Sequence, residues 1–319
     1  MKPLLSVIIP TRNRPDILQQ TLSLLLEQMA TADSPTEVIV VDDGSADAAR
    51  TELRQFLDDQ DAGKDVRILE QAPRGPAAAR NLGIGAARGD LVLFLGDDIL
   101  PCSGLLSAHT DAHCARYPAE HIAVLGLADL APELCTSPFV QWWRKYNFRY
   151  QALLTGKRKP DVGSFFTNNL SLKRRFLLKH GLFDEAFPDA AYEDIELGYR
   201  LSQHGLQVVF VPEARAYHYH PMDLASACRR METRGRDYAL FKQRTPWPVA
   251  PRLWRWLGSG PWMHPTIIGP LWRLAETWQA RLNLGPVYVL VLMYCFLVGR
   301  GVRPRLVWEN PKPFSGVEG

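Results

Sequence analysis

The fold is decided by the stretch Leu91-Val92-Leu93-Phe94-Leu95-Gly96-Asp97-Asp98, in which five apolar residues precede a glycine and two carboxylates. An apolar run without alternation predicts a strand buried on both faces, as in a parallel sheet covered by helices. Such sheets bind ligands beyond the carboxyl ends of their strands. Two adjacent carboxylates there repel each other, which favours a divalent cation that also holds a substrate phosphate. A solvated Asp-Asp turn is the alternative.

Short apolar runs alternate with helical patterns in the chain before this strand. Strands are predicted at 6–10, 37–41, 66–69 and 91–95, and helices at 15–29, 46–60 and 77–87. This order predicts right-handed βαβ units and a parallel sheet. Because the carboxyl ends of parallel strands share one edge, the polar residues that end them should converge on one crevice. These residues are Thr11, Asp42, Asp43, Asp97 and Asp98.

Each polar residue of this edge has a chemical role available. Asp42 or Asp43 can accept hydrogen bonds from a base or a ribose, and Arg74 and Arg80 can donate charge-assisted bonds to a diphosphate. Gly75 leaves room where a backbone must approach closely. The alternatives are structural, since Asp-Gly-Ser is a common turn and an arginine on a helix is often a surface residue.

Four segments together resemble the family 2 glycosyltransferases in order and spacing. They are SVIIPTRNR at 6–14, VVDDGS at 40–45, GPAAARNLG at 75–83 and FLGDD at 94–98. The resemblance implies an α/β GT-A fold, with a Rossmann-like, mostly parallel sheet flanked by helices. It also implies a nucleotide-sugar donor, for which a UDP-sugar is expected, and an inverting transfer assisted by Mg²⁺ or Mn²⁺. The acceptor would be a glycan or a lipid-linked molecule.

The resemblance also implies which residues form the donor site. Asp98 would be a metal ligand, and Asp97 would contact either ribose or metal. Many members carry a third aspartate where this chain has Gly96. The metal is therefore expected to depend on Asp98 and on a later residue. The nucleotide sugar would be bound by Pro10, Thr11, Arg12, Arg14, Asp42, Asp43, Arg74, Gly75, Arg80, Asn81 and Asp97.

A catalytic base is expected near residue 194. The apolar spacing in 192–201 predicts a helix with Glu193 and Asp194 in its first turn, where carboxylates also complement the helix dipole. The family's Glu-Asp motif matches this pair and implies that Asp194 is the base, with Glu193 beside it. After a predicted strand at 207–212, His218 and His220 fall on one side of an extended chain. The family's metal-binding histidine matches His218.

The acceptor side rests on two further segments. Residues 165–174 resemble the family's connection between donor and acceptor sites, which implies that Asn168 and Asn169 contact the acceptor. The aromatic and basic segment 141–150 contains Trp142. It is either an acceptor-binding loop or a loop packed on the core.

Composition describes an ordinary globular chain. Of 319 residues, 46% are hydrophobic and 22% charged, and the net charge of +3 does not indicate nucleic acid as a partner. Five scattered cysteines without a C-x-x-C pair indicate reduced thiols in a cytosolic setting, and residues 1–6 contain no signal-peptide core. We expect a catalytic domain at 1–225, with nucleotide-sugar binding at 1–100 and the acceptor side at 101–225. A helical region is expected at 226–319.

That last region contains an apolar segment at 284–299, which is shorter than the about 20 residues of a membrane span. Tryptophans precede it and arginines flank it on both sides. This pattern favours a peripheral or monotopic attachment to the inner face of the cell membrane, with a buried core or dimerisation helix as the alternative. The flanking residues are Trp247, Trp254, Trp256, Trp262, Trp272, Trp278, Arg273, Arg281, Arg300, Arg303 and Arg305.

Two other functions remain open at the level of sequence. A sugar-phosphate nucleotidyltransferase would carry a glycine-rich loop with a lysine after its first strand, and residues 11–14 contain neither. A catalytically silent subunit that binds carbohydrate or membrane would keep the same fold. The loss or retention of a transfer activity on changing Asp194 separates this second alternative from an enzyme.

Overall fold

The computed structural model describes residues 4–32, 34–147, 150–246 and 263–303. Its strands are β1 Leu5–Thr11, β2 Thr36–Asp43, β3 Val66–Gln71, β4 Leu91–Leu95, β5 Ile99–Pro101, β6 Ile122–Leu130, β7 Asn169–Lys173 and β8 Gln207–His218. They form one mixed sheet in the order β3-β2-β1-β4-β7-β6-β8-β5. The predicted mostly parallel α/β sheet flanked by helices is confirmed.

The α-helices of the described residues flank this sheet or follow it. They are α1 Pro15–Thr31, α2 Asp47–Asp59, α3 Pro76–Ala86, α4 Leu105–Asp111, α5 Pro138–Asn147, α6 Tyr150–Leu154, α7 Arg174–His180, α8 Glu193–Ser202, α9 Leu224–Arg244, α10 Pro265–Trp278 and α11 Gly285–Gly299. A π-helical turn at Ala112–Arg116 continues α4, and 3₁₀ turns lie at Ala62–Lys64, Pro132–Leu134 and Val162–Ser164.

The first half of the sheet is parallel, as the alternation of strands and helices predicts. β1 pairs with β2 and β4, and β2 pairs with β3, all in parallel. Every residue of β4 is buried, as the uninterrupted apolar run indicates. The register sets Thr11 opposite Asp42, so the carboxyl ends of β1 and β2 reach the same edge.

The second half of the sheet brings a later part of the chain to this edge. β7 is antiparallel to β4 and β6, and β8 is parallel to β6. The sequence predicts that the last strand ends at Pro212, but β8 continues to His218 and pairs with the short β5, which the apolar pattern does not reveal. Ile99 lies opposite His218, so the register brings that histidine next to Asp98.

The apolar segment 284–299 forms α11, which packs inside the described part of the protein. Tyr288 and Val291 are fully buried, and a cluster of buried side chains joins α11 to α5, α9 and α10. At the crossing with α9, a Cβ on Gly235 would lie 2.1 Å from the Phe296 carbonyl oxygen, and one on Gly299 would lie 1.9 Å from the Glu232 carbonyl oxygen. The two helices therefore touch backbone to backbone, and this contact fixes α9.

The membrane attachment and the domain boundary at 225/226 stay predictions. A helix that is apolar on all sides is typical of a buried helix, and α11 is one. No helix among the described residues combines the length and hydropathy needed to cross a membrane. Trp247, Trp254, Trp256, Trp262 and Arg305 lie outside the described residues.

Candidate functional site

A cavity of about 740 Å³ opens at the carboxyl edge of the sheet. Its walls come from the ends of β1, β2 and β8, the loop after β4, the first turn of α8 and one side of α9. Most of the predicted site residues line it, although they are spread over more than 200 positions of the chain. Those that do are Pro10, Thr11, Arg12, Arg14, Asp43, Arg74, Gly75, Arg80, Asp97, Asp98, Asn168, Glu193, Asp194 and His218.

One carboxylate and two imidazoles form a cluster with metal-ligand spacing. Asp98 Oδ1 lies 3.2 Å from His218 Nε2, and Asp98 Oδ2 lies 3.2 Å from His220 Nδ1. One ligand atom of each residue falls within 4.8 Å of the others. Neighbouring ligands of an octahedral ion with bonds of about 2.1 Å are about 3 Å apart, so this donor set fits a divalent metal. His220 is the third donor, which the resemblance alone does not assign.

The charge on Asp98 is maintained by its neighbours. Burial alone would raise its pKa, but the charge of His218, the hydrogen bonds of His218 and His220 and the charge of Arg14 hold the pKa well below the ordinary value. A side chain at Gly96 would come within 3.2 Å of Asp98 Oδ1. The glycine therefore leaves room around this carboxylate where many relatives have a third aspartate.

Arg14 bridges the two aspartates from the other side. Its Nη1 donates to Asp97 Oδ1 at 2.7 Å, and its Nη2 donates to Asp98 Oδ2 at 2.8 Å. Thr11 Oγ1 donates to Asp97 Oδ2 at 2.9 Å. Burial and the charge of Asp98 raise the pKa of Asp97 to about 6. Asp97 is thus held by the protein's own donors, and Arg14 adds a positive charge between the two aspartates.

The two carboxylates of the first turn of α8 have different environments. Glu193 is buried, accepts from Arg80 Nη1 at 2.8 Å and accepts from the backbone N–H of Ala191 at 2.9 Å. Asp194 accepts only from the N–H of Ile195, at 2.7 Å, among the bonds found in the described ranges. Burial and the charge of Glu193 raise the pKa of Asp194 to about 7. A base with a pKa near the working pH is well matched to accept a proton.

The loop before α3 is held together by Asp43. This carboxylate accepts from the backbone N–H groups of Arg74 at 2.8 Å and Gly75 at 2.9 Å. Gly75 has φ +89°, and a Cβ there would lie 2.4 Å from the carbonyl oxygen of Pro188. The sequence predicts that a backbone approaches Gly75, and the backbone found there is the protein's own.

Two predicted donor residues are not at the cavity. Asp42 is buried and accepts from the Ser45 N–H and from Arg50 Nε, at 2.8 and 2.7 Å. Asn81 pairs with the backbone of Phe183, accepting from its N–H and donating to its carbonyl, each at 3.0 Å. Both side chains hold neighbouring segments of the chain in place.

Two predicted acceptor contacts also fall elsewhere. Asn169 is fully buried, donates to the Ala214 carbonyl at 2.8 Å and lies 2.9 Å from His109 Nε2. Strand alternation turns it away from the cavity that its neighbour Asn168 lines. Trp142 lies in α5, not in a loop, with its ring centroid 5.2 Å from that of Tyr288. The interpretation of this segment as packed on the core is the one the structure supports.

Sequence reasoning missed several residues of the cavity wall. Tyr150 and Thr167 line it, as do Arg230 and Arg234 of α9. The arginines are four residues apart, the spacing that puts two side chains on one face of a helix, and that signal was available in the sequence. The sequence does not show that this face of the helix points toward the cavity.

The chain matches two sequence profiles of glycosyltransferases. The profile described as Glycosyl transferase family 2 matches residues 6–179, and that described as Glycosyl transferase family group 2 matches residues 113–300. The first covers more than half of the chain.

Curated relatives agree with these profiles. A validoxylamine A glucosyltransferase from Streptomyces hygroscopicus subsp. limoneus is 32% identical over 236 residues, which is 66% of this chain and 51% of that protein. A hyaluronan synthase from Pasteurella multocida is 27% identical over 271 residues, which is 76% of this chain and 27% of that protein. The chain thus spans between about a quarter and a half of the length of these relatives.

A solved structure has a similar fold. It is the mannosyltransferase PcManGT from Pyrobaculum calidifontis, in complex with GDP-Man and Mn²⁺. The TM-score is 0.61 at 20% identity, with 95% of this chain and 87% of that chain covered. At this identity the likeness shows the fold alone.

Proposed function

Because the chain belongs to glycosyl transferase family 2, we propose that it is a metal-assisted enzyme that transfers a sugar from a nucleotide-diphosphate donor to an acceptor hydroxyl with inversion. One observation carries this proposal. The cluster of Asp98, His218 and His220 lines the same cavity as Asp194, a carboxylate matched in pKa to act as a base. Synthesis of a glycan, polysaccharide or glycolipid is the proposed context.

Asp98, His218 and His220 are the residues we propose to hold the metal. When bound, a divalent cation supplies positive charge that stabilises the leaving diphosphate. Two imidazoles beside one carboxylate favour Mn²⁺ over Mg²⁺, which prefers oxygen ligands. Arg14, next to this cluster, adds protein charge for the same diphosphate.

Asp194 is proposed to remove the proton of the acceptor hydroxyl. The acceptor oxygen forms a bond to the anomeric carbon, the bond from that carbon to the diphosphate breaks, and the proton passes to the carboxylate. Attack from the face opposite the leaving group inverts the anomeric centre. Glu193 stays occupied by Arg80, and we propose that this buried pair holds the first turn of α8 in position.

Thermal unfolding with nucleotides tests the donor site. We expect one of UDP, GDP and dTDP to raise the Tm in the presence of Mn²⁺, with CMP as the control. At a hundredfold excess over its dissociation constant, a ligand stabilises by about 2.7 kcal/mol, which is readily measured. UDP is the nucleotide we expect to bind. GDP is the first alternative, because the solved neighbour is in complex with GDP-Man. If no nucleotide shifts the Tm of folded protein, the interpretation as a silent subunit replaces this proposal.

For the membrane, we propose contact through α10 rather than through the buried α11. Ile267, Leu274 and Trp278 are 44%, 44% and 38% exposed, and their spacing of seven and four residues puts them on one face. The exposed Arg273 and Arg281 lie beside them in sequence. Apolar side chains flanked by arginines suit the anionic inner face of a cell membrane.

Cosedimentation with lipid vesicles tests this contact. We expect the protein to bind phosphatidylglycerol vesicles, and Leu274→Ser with Trp278→Ser to weaken binding by about tenfold or more, because less apolar area is buried. Leu178→Ser, at a residue 51% exposed on α7, is the matched control. Equal binding by all three proteins would show that α10 does not face the membrane.

A further inference from the structure

Two arginines on α9 line the cavity and have no partner among the described residues. Arg230 and Arg234 line it together, one helical turn apart. Neither makes a hydrogen bond or ion pair with another residue of the described ranges, and Arg230 Nε is buried without a hydrogen-bond partner. The close crossing of α9 and α11 at Gly235 and Gly299 fixes the backbone that carries them.

Other cations of the cavity wall are already neutralised. Arg14 is paired with Asp97 and Asp98, Arg74 with Glu185, and Arg80 with Glu193. Arg12 is exposed, so water solvates its charge. Arg230 and Arg234 differ from these residues, because they are partly buried and the described part of the chain puts no counter-charge within hydrogen-bonding distance of them. A buried, unpaired charge is costly, and a bound anion would offset that cost.

The electrostatic neighbours of the pair place it toward the proposed base. The charge of Arg230 interacts with Asp98, Glu193 and Asp194, and that of Arg234 interacts with Asp194. Burial and the like charge of Arg234 lower the pKa of Arg230 to about 10, which leaves it charged at neutral pH. The charge of Arg230 is therefore felt both at the metal cluster and at Asp194, and Arg234 follows one turn farther along α9.

We propose that Arg230 and Arg234 form a subsite for a phosphate or carboxylate group carried by the acceptor. The inference rests on the proposed function, which puts the acceptor beside Asp194. Two guanidinium forks on one helix face match the paired oxygens of either anion. The subsite would orient the acceptor hydroxyl toward Asp194 and select acidic acceptors, such as a uronic acid or a phosphorylated glycan, over neutral ones.

Stability without ligand gives a first test. We expect Arg230→Met to raise the Tm of the free protein, because it removes a partly buried charge that has no partner and keeps most of the side-chain volume. Arg229→Met is the control, since that neighbouring residue is exposed and, among the described residues, hydrogen-bonds to Ser226 of its own helix. A lower Tm for Arg230→Met than for the parent protein would show that the arginine is a structural residue, contrary to the proposal.

Binding of simple glycosides gives the second test. With saturating nucleoside diphosphate and Mn²⁺, glucose 6-phosphate and methyl glucuronide should raise the Tm, and methyl glucoside should not. The Arg230→Met/Arg234→Met variant should weaken binding of the charged sugars by about 10- to 100-fold, as for lost hydrogen bonds to a charged group. The affinity of Arg234→Lys for the charged sugars should lie between those of the parent protein and the double variant, because lysine keeps the charge but lacks the paired N–H donors of a guanidinium.

The same titrations separate this inference from the proposed function. Nucleotide and Mn²⁺ binding by the parent protein tests the donor site alone, and the charged sugars are added afterwards. Equal shifts with charged and neutral sugars would overturn the acceptor subsite while leaving the donor site intact. A double variant that loses nucleotide affinity and still binds the charged sugars would assign the arginines to the donor diphosphate instead.

Discussion

Replacing Asp194 by Asn is expected to lower the turnover of the sugar donor by about 10²- to 10⁴-fold, the usual contribution of a general base. Asn keeps the size of the side chain and cannot accept the proton. Nucleotide and Mn²⁺ binding should be unchanged, because those ligands are assigned to other residues. Hydrolysis of the nucleotide sugar is the measurement, since water also needs a base and no acceptor has to be known.

The pH dependence of the parent protein checks the same assignment. Burial and the charge of Glu193 raise the pKa of Asp194 to about 7, so the carboxyl is protonated below that pH and cannot act as a base. We expect kcat/KM to fall as the pH drops through 7 and to level off above it. At a pH between the pKa values of Asp194 in the unfolded and the folded protein, the folded protein keeps a proton on this carboxyl that the unfolded chain has lost. The contribution of Asp194 to the free energy of unfolding therefore decreases as the pH rises toward 7.

Asp194→Asn should therefore be at least as stable as the parent protein at pH 8, because it removes a charge that burial disfavours. Asp111→Asn, at an exposed carboxylate, controls for the loss of one negative charge. An Asp194→Asn protein with parent-like turnover, or one whose losses follow a collapse in Tm, would contradict the assignment of Asp194 as the base.

Replacing both histidines of the metal cluster by Ala is the second change with a large expected effect. His218 and His220 lie 3.2 Å from the two oxygens of Asp98, so the double variant keeps only Asp98 of the cluster found in the described residues. Removing a residue that only hydrogen-bonds to a metal ligand lowers metal affinity by about 10- to 100-fold. Removing two direct ligands should lower it further. Titration of Mn²⁺ by electron paramagnetic resonance measures this directly.

The double variant should also lose the Mn²⁺-dependent part of nucleotide binding. His180 and His204 provide the matched control, because their rings stack 4.4 Å apart and neither lines the cavity. Their replacement by Ala should leave Mn²⁺ affinity unchanged. Parent-like Mn²⁺ affinity after loss of His218 and His220 would place the metal elsewhere.

The parallel half of the sheet was predictable because its strands are buried on both faces. Uninterrupted apolar runs such as 91–95 leave few other structures, and the carboxyl-end rule then gathers Thr11, Asp43, Asp97 and Asp98 at one edge. The burial of β4 and the cavity at that edge follow from local sequence. The position of most site residues before residue 100 can therefore be predicted from the sequence.

The rest of the site depends on pairings that the local pattern does not contain. His220 reaches Asp98 because β8 continues past Pro212 to pair with β5, and only tertiary structure sets that pairing. Asn168 and Asn169 are adjacent, so a shift of one residue in strand register decides which lines the cavity. The direction of Arg230 and Arg234 is fixed by a helix crossing some 60 residues later in the chain.

The apolar segment 284–299 shows a further limit of composition. Its length and flanking residues fit an interfacial helix as well as a buried one, since both lack charge. Close contact at Gly235 and Gly299 permits burial, and a pair of glycines in separate helices is not a readable signal before the fold is known. Ile267, Leu274 and Trp278 of α10 form an exposed apolar face instead, and their spacing is visible in the sequence.

Crystals grown with Mn²⁺ and the nucleoside diphosphate selected by thermal unfolding would locate the proposed metal centre. Anomalous scattering locates Mn²⁺ independently of any assumption about the ligands. We predict one strong peak within about 2.0–2.3 Å of an Asp98 oxygen and of the imidazole nitrogens of His218 and His220, with the diphosphate on its open side. A peak that lies away from Asp98, or nucleotide bound in this cavity without any peak, would rule out a metal centre at Asp98, His218 and His220.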